Sequence, residues 1–253
     1  MDQITPIDIV ERVDRAAPVG RRSGGQGLLR RLMRAFIFLF SYHVVLSRKS
    51  IRTMPAAGFR LTVRPTVFHP RFFISSERFA QFIDGLDLAG KRVLDVGTGS
   101  GILALAAARA GAESVIAADI NPNAALNAAE NAHANGFAGR VTALCSNLLT
   151  ALAPRPLFDV ILSSPPKHAG EPRDLTDRGW HAGPAFRDIA AIFDQARARL
   201  NPSGRMYVML SSDSDLPLFR QLFETAGFHA RVAREYSILI ESFINFELTA
   251  RER

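Results

Sequence analysis

The stretch from Val93 to Asp119, VLDVGTGSGILALAAARAGAESVIAAD, limits the fold more than any other part of the chain. It opens with Val93-Leu94-Asp95-Val96, an apolar run of strand length. Gly97, Gly99 and Gly101 follow on alternate positions, with Thr98 between the first two. Ile102 to Ala110 is alanine-rich and strongly helix-forming, and Gly111 is a natural helix stop. Ser114 to Ala118 reads as a second strand and ends in Asp119. Strand, glycine turn, helix, strand and acid together make a nucleotide-type binding unit of a doubly wound sheet.

The glycine spacing narrows the ligand. A dinucleotide fingerprint has glycine at its first, third and sixth positions, where a pyrophosphate meets the helix N-terminus. Here Ile102 holds the sixth position and the third glycine comes one place early. Asp95 at the first strand end would repel a pyrophosphate but suits a ligand with a positive amino group. The glycines let backbone approach the ligand closely. Asp119 can take both hydroxyls of a ribose. A ligand with a ribose, an ammonium and no phosphate is S-adenosylmethionine.

These residues resemble motifs I and II of the class I S-adenosylmethionine-dependent methyltransferases. The similarity runs on through Asp119-Ile120-Asn121-Pro122 and a helix from Ala124 to Asn135. The resemblance implies cofactor contacts from Asp95, Gly97, Thr98, Gly99, Gly101, Asp119 and Ile120. It also implies an α/β fold: a doubly wound, seven-stranded, Rossmann-like methyltransferase sheet, here with an N-terminal helical extension.

At 253 residues the chain suits one α/β domain plus an extension. Residues 1–58 are expected to form a basic, apolar extension, and 59–253 the methyltransferase domain. The single cysteine, Cys145, excludes an internal disulfide and a Cys-rich metal site. It is expected to be a buried small residue. A reducing, cytoplasmic location fits, and no His/Cys/acid spacing supports a metal.

The formal net charge of +7 lies wholly in the first sixty residues, and no acid occurs between Arg15 and Ser76. Arg21 to Gly27 reads as a basic linker. Residues 28–46, LLRRLMRAFIFLFSYHVVL, read as an amphipathic helix that becomes apolar nearly all round. Its apolar run is short of the ~20 residues that span a bilayer. Three readings stay open: a helix packed on the catalytic domain, one lying at the inner face of a membrane, and contact with RNA.

Phe59 to Val67 reads as a short strand or hairpin. Ser75 or Ser76 is placed to cap a helix through Phe79, Phe82 and Ile83. Pro70-Arg71 followed by Ser76-Glu77 resembles the release-factor glutamine methyltransferase family, with a longer spacing. Later strands are expected at Arg140–Cys145, Leu157–Leu162, Arg205–Leu210, Phe228–Ala233 and Ser237–Leu248, with helices at Pro184–Leu200 and Asp215–Ala226. The resemblance places an amide near the adenine amino group at Asn147, although a loop asparagine also forms turns.

The fourth strand closes in Ser163-Ser164-Pro165-Pro166-Lys167. This resembles the Asn/Asp-Pro-Pro-aromatic motif of methyltransferases that act on amide or exocyclic amino groups. In that motif the first side chain and a proline-segment carbonyl accept the substrate N–H bonds, and the aromatic stacks on the planar group. Here Ser164 shortens the acceptor and Lys167 removes the stacking wall. Ser164, Pro165 and Pro166 are therefore the expected acceptor-side residues. Residues 168–183 form a long loop that could close over the substrate, with His168 or His181 as a proton acceptor.

The expected activity is methyl transfer from S-adenosylmethionine to an amide or amino nitrogen on a protein or nucleic acid. A hydrophobic metabolite or lipid acceptor at a membrane surface is the alternative. A cofactor-binding scaffold without turnover is the reading from another class.

Overall fold

The computed structural model describes residues 51–67, 74–238 and 241–251. The expected helix at 28–46 and the Pro70-Arg71 pair lie outside the described residues. Two strands, β1 (Arg52–Ala56) and β2 (Phe59–Val63), form an antiparallel hairpin that straddles the expected domain boundary at residue 59. Helix α1 (Ile74–Ile83) follows. Ser75 and Ser76 lie inside its first turn rather than ahead of it, so neither has the extended backbone of a cap.

The remaining elements are β3 (Arg92–Val96), α2 (Ile102–Arg109), β4 (Ser114–Asp119), α3 (Pro122–Ala134), β5 (Val141–Cys145), β6 (Phe158–Ser163), α4 (Arg187–Arg199), β7 (Leu200–Ser211), α5 (Leu216–Thr225), β8 (Phe228–Ser237) and β9 (Ser242–Ala250). They alternate except where β6 follows β5 and β9 follows β8. The seven strands β3 to β9 form one sheet in the order β5-β4-β3-β6-β7-β9-β8. The first five are parallel, and β9 runs antiparallel to both neighbours. The chain builds outward from β3 through β4 to β5, then returns to place β6 on the other side of β3. That reversal opens a crevice above the carboxyl ends of β3 and β6.

Helices cover both faces. The hairpin, α1, α2 and α3 pack on one face, and α4 and α5 on the other. In α2 every residue from Ile102 to Ala108 is buried. A helix enclosed on all sides needs small residues, which accounts for its alanines. On the opposite face Phe193, Phe219, Phe223 and Phe246 interlock, with the Phe193 and Phe223 rings 4.9 Å apart and nearly perpendicular.

The hairpin is fastened to α3 by asparagines at every fourth position. Asn127 Oδ1 accepts from Arg64 N at 3.2 Å, Asn131 Oδ1 from Thr62 N at 2.7 Å, and Asn135 Oδ1 from Arg60 N at 3.0 Å. Asn131 and Asn135 also donate from Nδ2 to the carbonyls of Thr62 and Arg60. The spacing works because four helical residues rise ~6 Å, close to the ~6.6 Å spanned by two strand residues. Asn131 also donates to Ser100 O at 2.8 Å, joining the hairpin to the glycine turn.

Some details depart from the sequence-based expectation. Cys145 is exposed, because β5 is the edge strand and Cys145 ends it. Asn201-Pro202-Ser203-Gly204 lies within β7 as an irregularity. Leu200 already pairs with Phe158, and pairing resumes between Arg205 and Val160. Ser237 ends β8 and pairs with Ser242, so the last strand begins at Ser242.

Candidate functional site

A cavity of about 1090 Å³ occupies the crevice at the strand reversal. One half is built by the turn after β3 and the ends of β4 and β5. The other is built by the loop after β6 and the ends of β7 and β9. Among the expected residues, Gly97, Thr98, Gly99, Asp119, Ile120, Asn147, Ser164, Pro165 and Pro166 all line it.

The glycine turn is held open from below. Gly97, Gly99 and Gly101 all have positive φ, at 76°, 55° and 83°. A side chain at Gly97 or Gly99 would meet no atom within 4 Å, so open space lies over the turn. Gly101 has a different role. A Cβ there would sit 2.9 Å from Ala128 Cα, so this glycine lets α2 and α3 approach and does not line the cavity.

Asp119 ties the strand end to the turn. Its Oδ2 accepts from Gly99 N at 2.9 Å and its Oδ1 from Asn121 N at 2.9 Å. Burial raises its carboxyl above the usual range, against these backbone bonds. Each carboxylate oxygen has a second lone pair for a ligand hydroxyl. Asn121 then caps α3, accepting from Asn123 N, and its Nδ2 donates to Thr66 O at 3.0 Å. Thr66 and Val67, which follow the hairpin, thereby reach the cavity wall.

Asp95 does not face the cavity as expected. It is 0% exposed and lies beneath the turn, where Thr98 Oγ1 donates to its Oδ2 at 2.6 Å. Its Oδ1 is buried without a hydrogen-bond partner. Burial pushes its pKa up to about 7. Asp95 therefore shapes the turn and supplies negative charge under it, which favours a cationic group above. Direct contact with an ammonium is replaced by action through Thr98 and the field.

Asn147 forms the turn that its residue type suggests, at the cavity's edge. It lines the cavity, and its carbonyl also accepts from Thr150 N and Thr150 Oγ1 in a turn. Ser163 is buried and donates to Val96 O at 3.3 Å, while Ser164 is exposed toward the cavity. Lys167 is tethered, donating to Glu241 Oε1 at 3.0 Å and Ser211 Oγ at 3.3 Å.

The loop after Lys167 is closed on itself. His168 bridges to His181 and Gly170 to Gly183. Its anchor is Asp177, which is 1% exposed and accepts from Arg173 through N, Nε and Nη2. The Arg173 guanidinium holds the Asp177 carboxyl down at about 2. The His168 and Trp180 rings stack 22° from parallel, and both line the cavity with His181. This aromatic wall was missed in the sequence because the motif position itself, Lys167, is not aromatic. No group of residues among those described could hold a metal ion.

A family model described as ribosomal protein L11 methyltransferase matches residues 79–164. The ribosomal protein L11 methyltransferase of Actinobacillus succinogenes is 51% identical over 67 residues, which is 26% of this chain and 23% of that protein. The chain thus spans about a quarter of the length of the curated relatives it matches. Among solved structures, a ribosomal protein L11 methylase from Lactobacillus delbrueckii subsp. bulgaricus is 25% identical with a TM-score of 0.52, covering 70% of this chain and 79% of that one. A Thermus thermophilus 16S rRNA N2 methyltransferase, solved with AdoMet and guanosine, is 21% identical with a TM-score of 0.56, covering 80% and 50%. The chain has the class I methyltransferase fold.

Proposed function

From this class I methyltransferase fold, we propose that the chain binds S-adenosylmethionine and methylates an amide or amino nitrogen on a protein or nucleic acid. The observation that carries the proposal is the turn at Gly97–Gly101, held open over a buried acid and tied by Asp119. The residues present fit the cofactor. Open space lies over Gly97 and Gly99, Asp119 at the end of β4 offers two carboxylate oxygens to ribose hydroxyls, and Asp95 offers negative charge below a sulfonium or ammonium. When bound, S-adenosylmethionine would supply the methyl group, its sulfur keeping the electrons of the broken carbon–sulfur bond.

The chain's own residues then orient the acceptor. Ser164 and the Pro165-Pro166 segment border the cavity beyond the turn, where prolines hold the backbone stiffly. Holding two reactants in line lowers a barrier by up to ~7–11 kcal/mol. The relatives' names, an L11 methyltransferase and a 16S rRNA methyltransferase, support a protein or nucleic-acid acceptor, and a cytoplasmic setting goes with either. The family match ends at Ser164, where the acceptor half begins, so it supports the cofactor more directly than the acceptor. Membrane contact through residues 28–46 concerns residues outside those described. No helix among the described residues is long and apolar enough to cross a membrane.

Calorimetry with S-adenosylmethionine, S-adenosylhomocysteine and NADH tests the cofactor. The first two are expected to bind and NADH not; NADH binding alone would refute the reading. Radiolabelled methyl transfer tests the acceptor, with label expected in ribosomal protein or RNA. Label confined to lipid extract would overturn the acceptor class, and binding without transfer would favour a scaffold.

A further inference from the structure

We propose that the sheet face between α1 and the edge strand β8 is an RNA-binding track that leads to the cavity, and that the methyl acceptor is a nucleotide within single-stranded RNA. The inference rests on the methyltransferase reading above and chooses between its two acceptor classes. Its carriers are Arg231, Arg234 and Tyr236 on β8 and Arg78 on α1.

Strand β8 closes one edge of the sheet and pairs with β9. In a regular strand Arg231 and Arg234, three residues apart, would point to opposite faces. The register shift between Val232 and Arg234 adds one residue there. Arg231, Arg234 and Tyr236 then pair with Glu247, Asn245 and Phe243, every second residue of β9, and so share one face. Tyr236 packs on the core cluster that includes α1, so this face is the α1 side. At ~3.3 Å per strand residue the row runs about 13 Å along the edge.

The row ends at the cavity. Ile238, two residues beyond Tyr236, lines it, as do Ile74, Ser75 and Ser76 in the first turn of α1. Arg78 reaches Tyr236 from that helix, its guanidinium carbon 5.9 Å from the ring centre, and Arg234 lies over the same ring at 4.8 Å. Tyr236 thereby gathers two guanidiniums beside the cavity through cation–π contact.

The charge on this face is unbalanced. Glu247 is buried and accepts from Arg231 at 3.0 and 2.8 Å, with Arg205 3.7 Å away. Arg78 donates to Gln81 Oε1, and among the described residues neither Arg78 nor Arg234 is ion-paired. The neighbouring acids turn elsewhere: Glu235 pairs with Ile244 on the opposite face, and Glu77 accepts from Ala57 N. Four guanidiniums thus share one carboxylate.

An extended polyanion matches such a row. Guanidinium forks bind phosphate oxygens in pairs, and bases stack on guanidinium and tyrosine planes. A single strand laid along β8 delivers an unstacked base to the cavity, whereas a duplex keeps its bases stacked. An acidic peptide would meet the arginines but make no use of the ring between them.

The test uses the full chain and a fluorescent single-stranded RNA oligonucleotide, with anisotropy followed as salt is raised. Each phosphate contact contributes ~0.7 to the slope of log affinity against log salt. Combining Arg78→Gln, Arg231→Gln and Arg234→Gln is expected to lower that slope by about 2 and affinity at least ~10-fold. Affinity for S-adenosylhomocysteine should stay within about twofold. The basic residues 1–60 are common to both proteins, so the difference reads this face alone. Should loss of the Arg231–Glu247 pair prevent folding, Arg78→Gln with Arg234→Gln leaves it intact and is expected to lower the slope by about 1.4. Unchanged slope and affinity would overturn the track. Substitutions that weaken binding of polyglutamate but not of RNA would overturn it in favour of a protein partner. In single-turnover transfer from radiolabelled S-adenosylmethionine, the triple variant is expected to need at least ~10-fold more RNA for half-maximal labelling. Label entering ribosomal protein alone would overturn the RNA acceptor. Binding of RNA through this face with no transfer to any fraction would instead refute the methyltransferase reading and leave the track standing.

Discussion

Two buried aspartates, one behind each wall of the cavity, have opposite electrostatic settings. Asp95 lies under the glycine turn with a single hydroxyl partner, Thr98, and burial dominates, raising it to about 7. Asp177 lies in the loop over the acceptor half, gripped by the Arg173 guanidinium and lowered to about 2. The cofactor half thus stores a carboxyl that is costly to ionise until a cation arrives. The acceptor half stores one that is ionised at every ordinary pH. The first suits a site completed by a positive ligand, and the second a loop pinned by its ion pair with Arg173.

The comparison can be broken most severely at Asp119→Ala. Gly99 N and Asn121 N would lose their acceptor, and each such bond contributes about 1–1.5 kcal/mol before any ribose contact is counted. Calorimetry should show S-adenosylhomocysteine affinity down by ~100-fold or more; unchanged affinity would remove Asp119 from the site. Gly101→Ala comes next, because it puts a Cβ against Ala128 at a φ of 83°. Denaturant unfolding should show a loss of about 1–3 kcal/mol, with full stability contradicting the close approach of α2 and α3.

Acid titration sharpens the contrast further. Asp95 is raised in the folded state, so between 3.8 and about 7 the folded chain binds more protons than the unfolded one. Its contribution to stability is therefore present at low pH and lost as pH rises toward about 7. Asp177 is lowered, so its contribution is present above 3.8 and lost as pH falls toward about 2. Melting followed from pH 3 to 8 should show Asp95→Asn flattening the slope above pH 4, and Asp177→Asn the slope below it. The reverse assignment would contradict both burial patterns. The smallest effect is expected at Ser164→Ala. One hydrogen bond of about 0.5–1.5 kcal/mol corresponds to a fall of roughly tenfold or less in turnover, with cofactor affinity unchanged. Equal loss of both would move Ser164 into the cofactor half.

The cofactor half was legible because its information is local. Asp95 to Asp119 is one strand, turn, helix and strand, and every glycine it needs stands in the turn. Even so, the position of Asp95 in sequence did not reveal that its carboxylate turns beneath the chain toward Thr98. Beyond Pro166 the chain has neither period nor motif, so only the length of the 168–183 loop and its two histidines marked it in the sequence. A signal was nonetheless present in the four-residue spacing of Arg173 and Asp177, the ion pair that pins the loop. The asparagines of α3 gave a similar unread signal: Asn127, Asn131 and Asn135 mark one helix face, but their partners lie some sixty to seventy-five residues earlier. Strand ends were misplaced where turn residues fall inside a strand as an irregularity, as at Asn201 to Gly204 in β7.

Those three asparagines also bear on how copies of the chain meet in solution. A two-stranded hairpin outside the main sheet presents unpaired N–H and C=O groups along its edge, and such an edge can template pairing with another chain. Along β2 and at Arg64 just past it, the amides of Arg60, Thr62 and Arg64 are already taken by side chains of α3 and its C-terminal cap, as are two of the matching carbonyls. The helix imitates the neighbouring strand that would otherwise be recruited. Replacing the asparagines by alanine would therefore do more than loosen the hairpin: it would uncover an adhesive border, and self-association should increase with protein concentration.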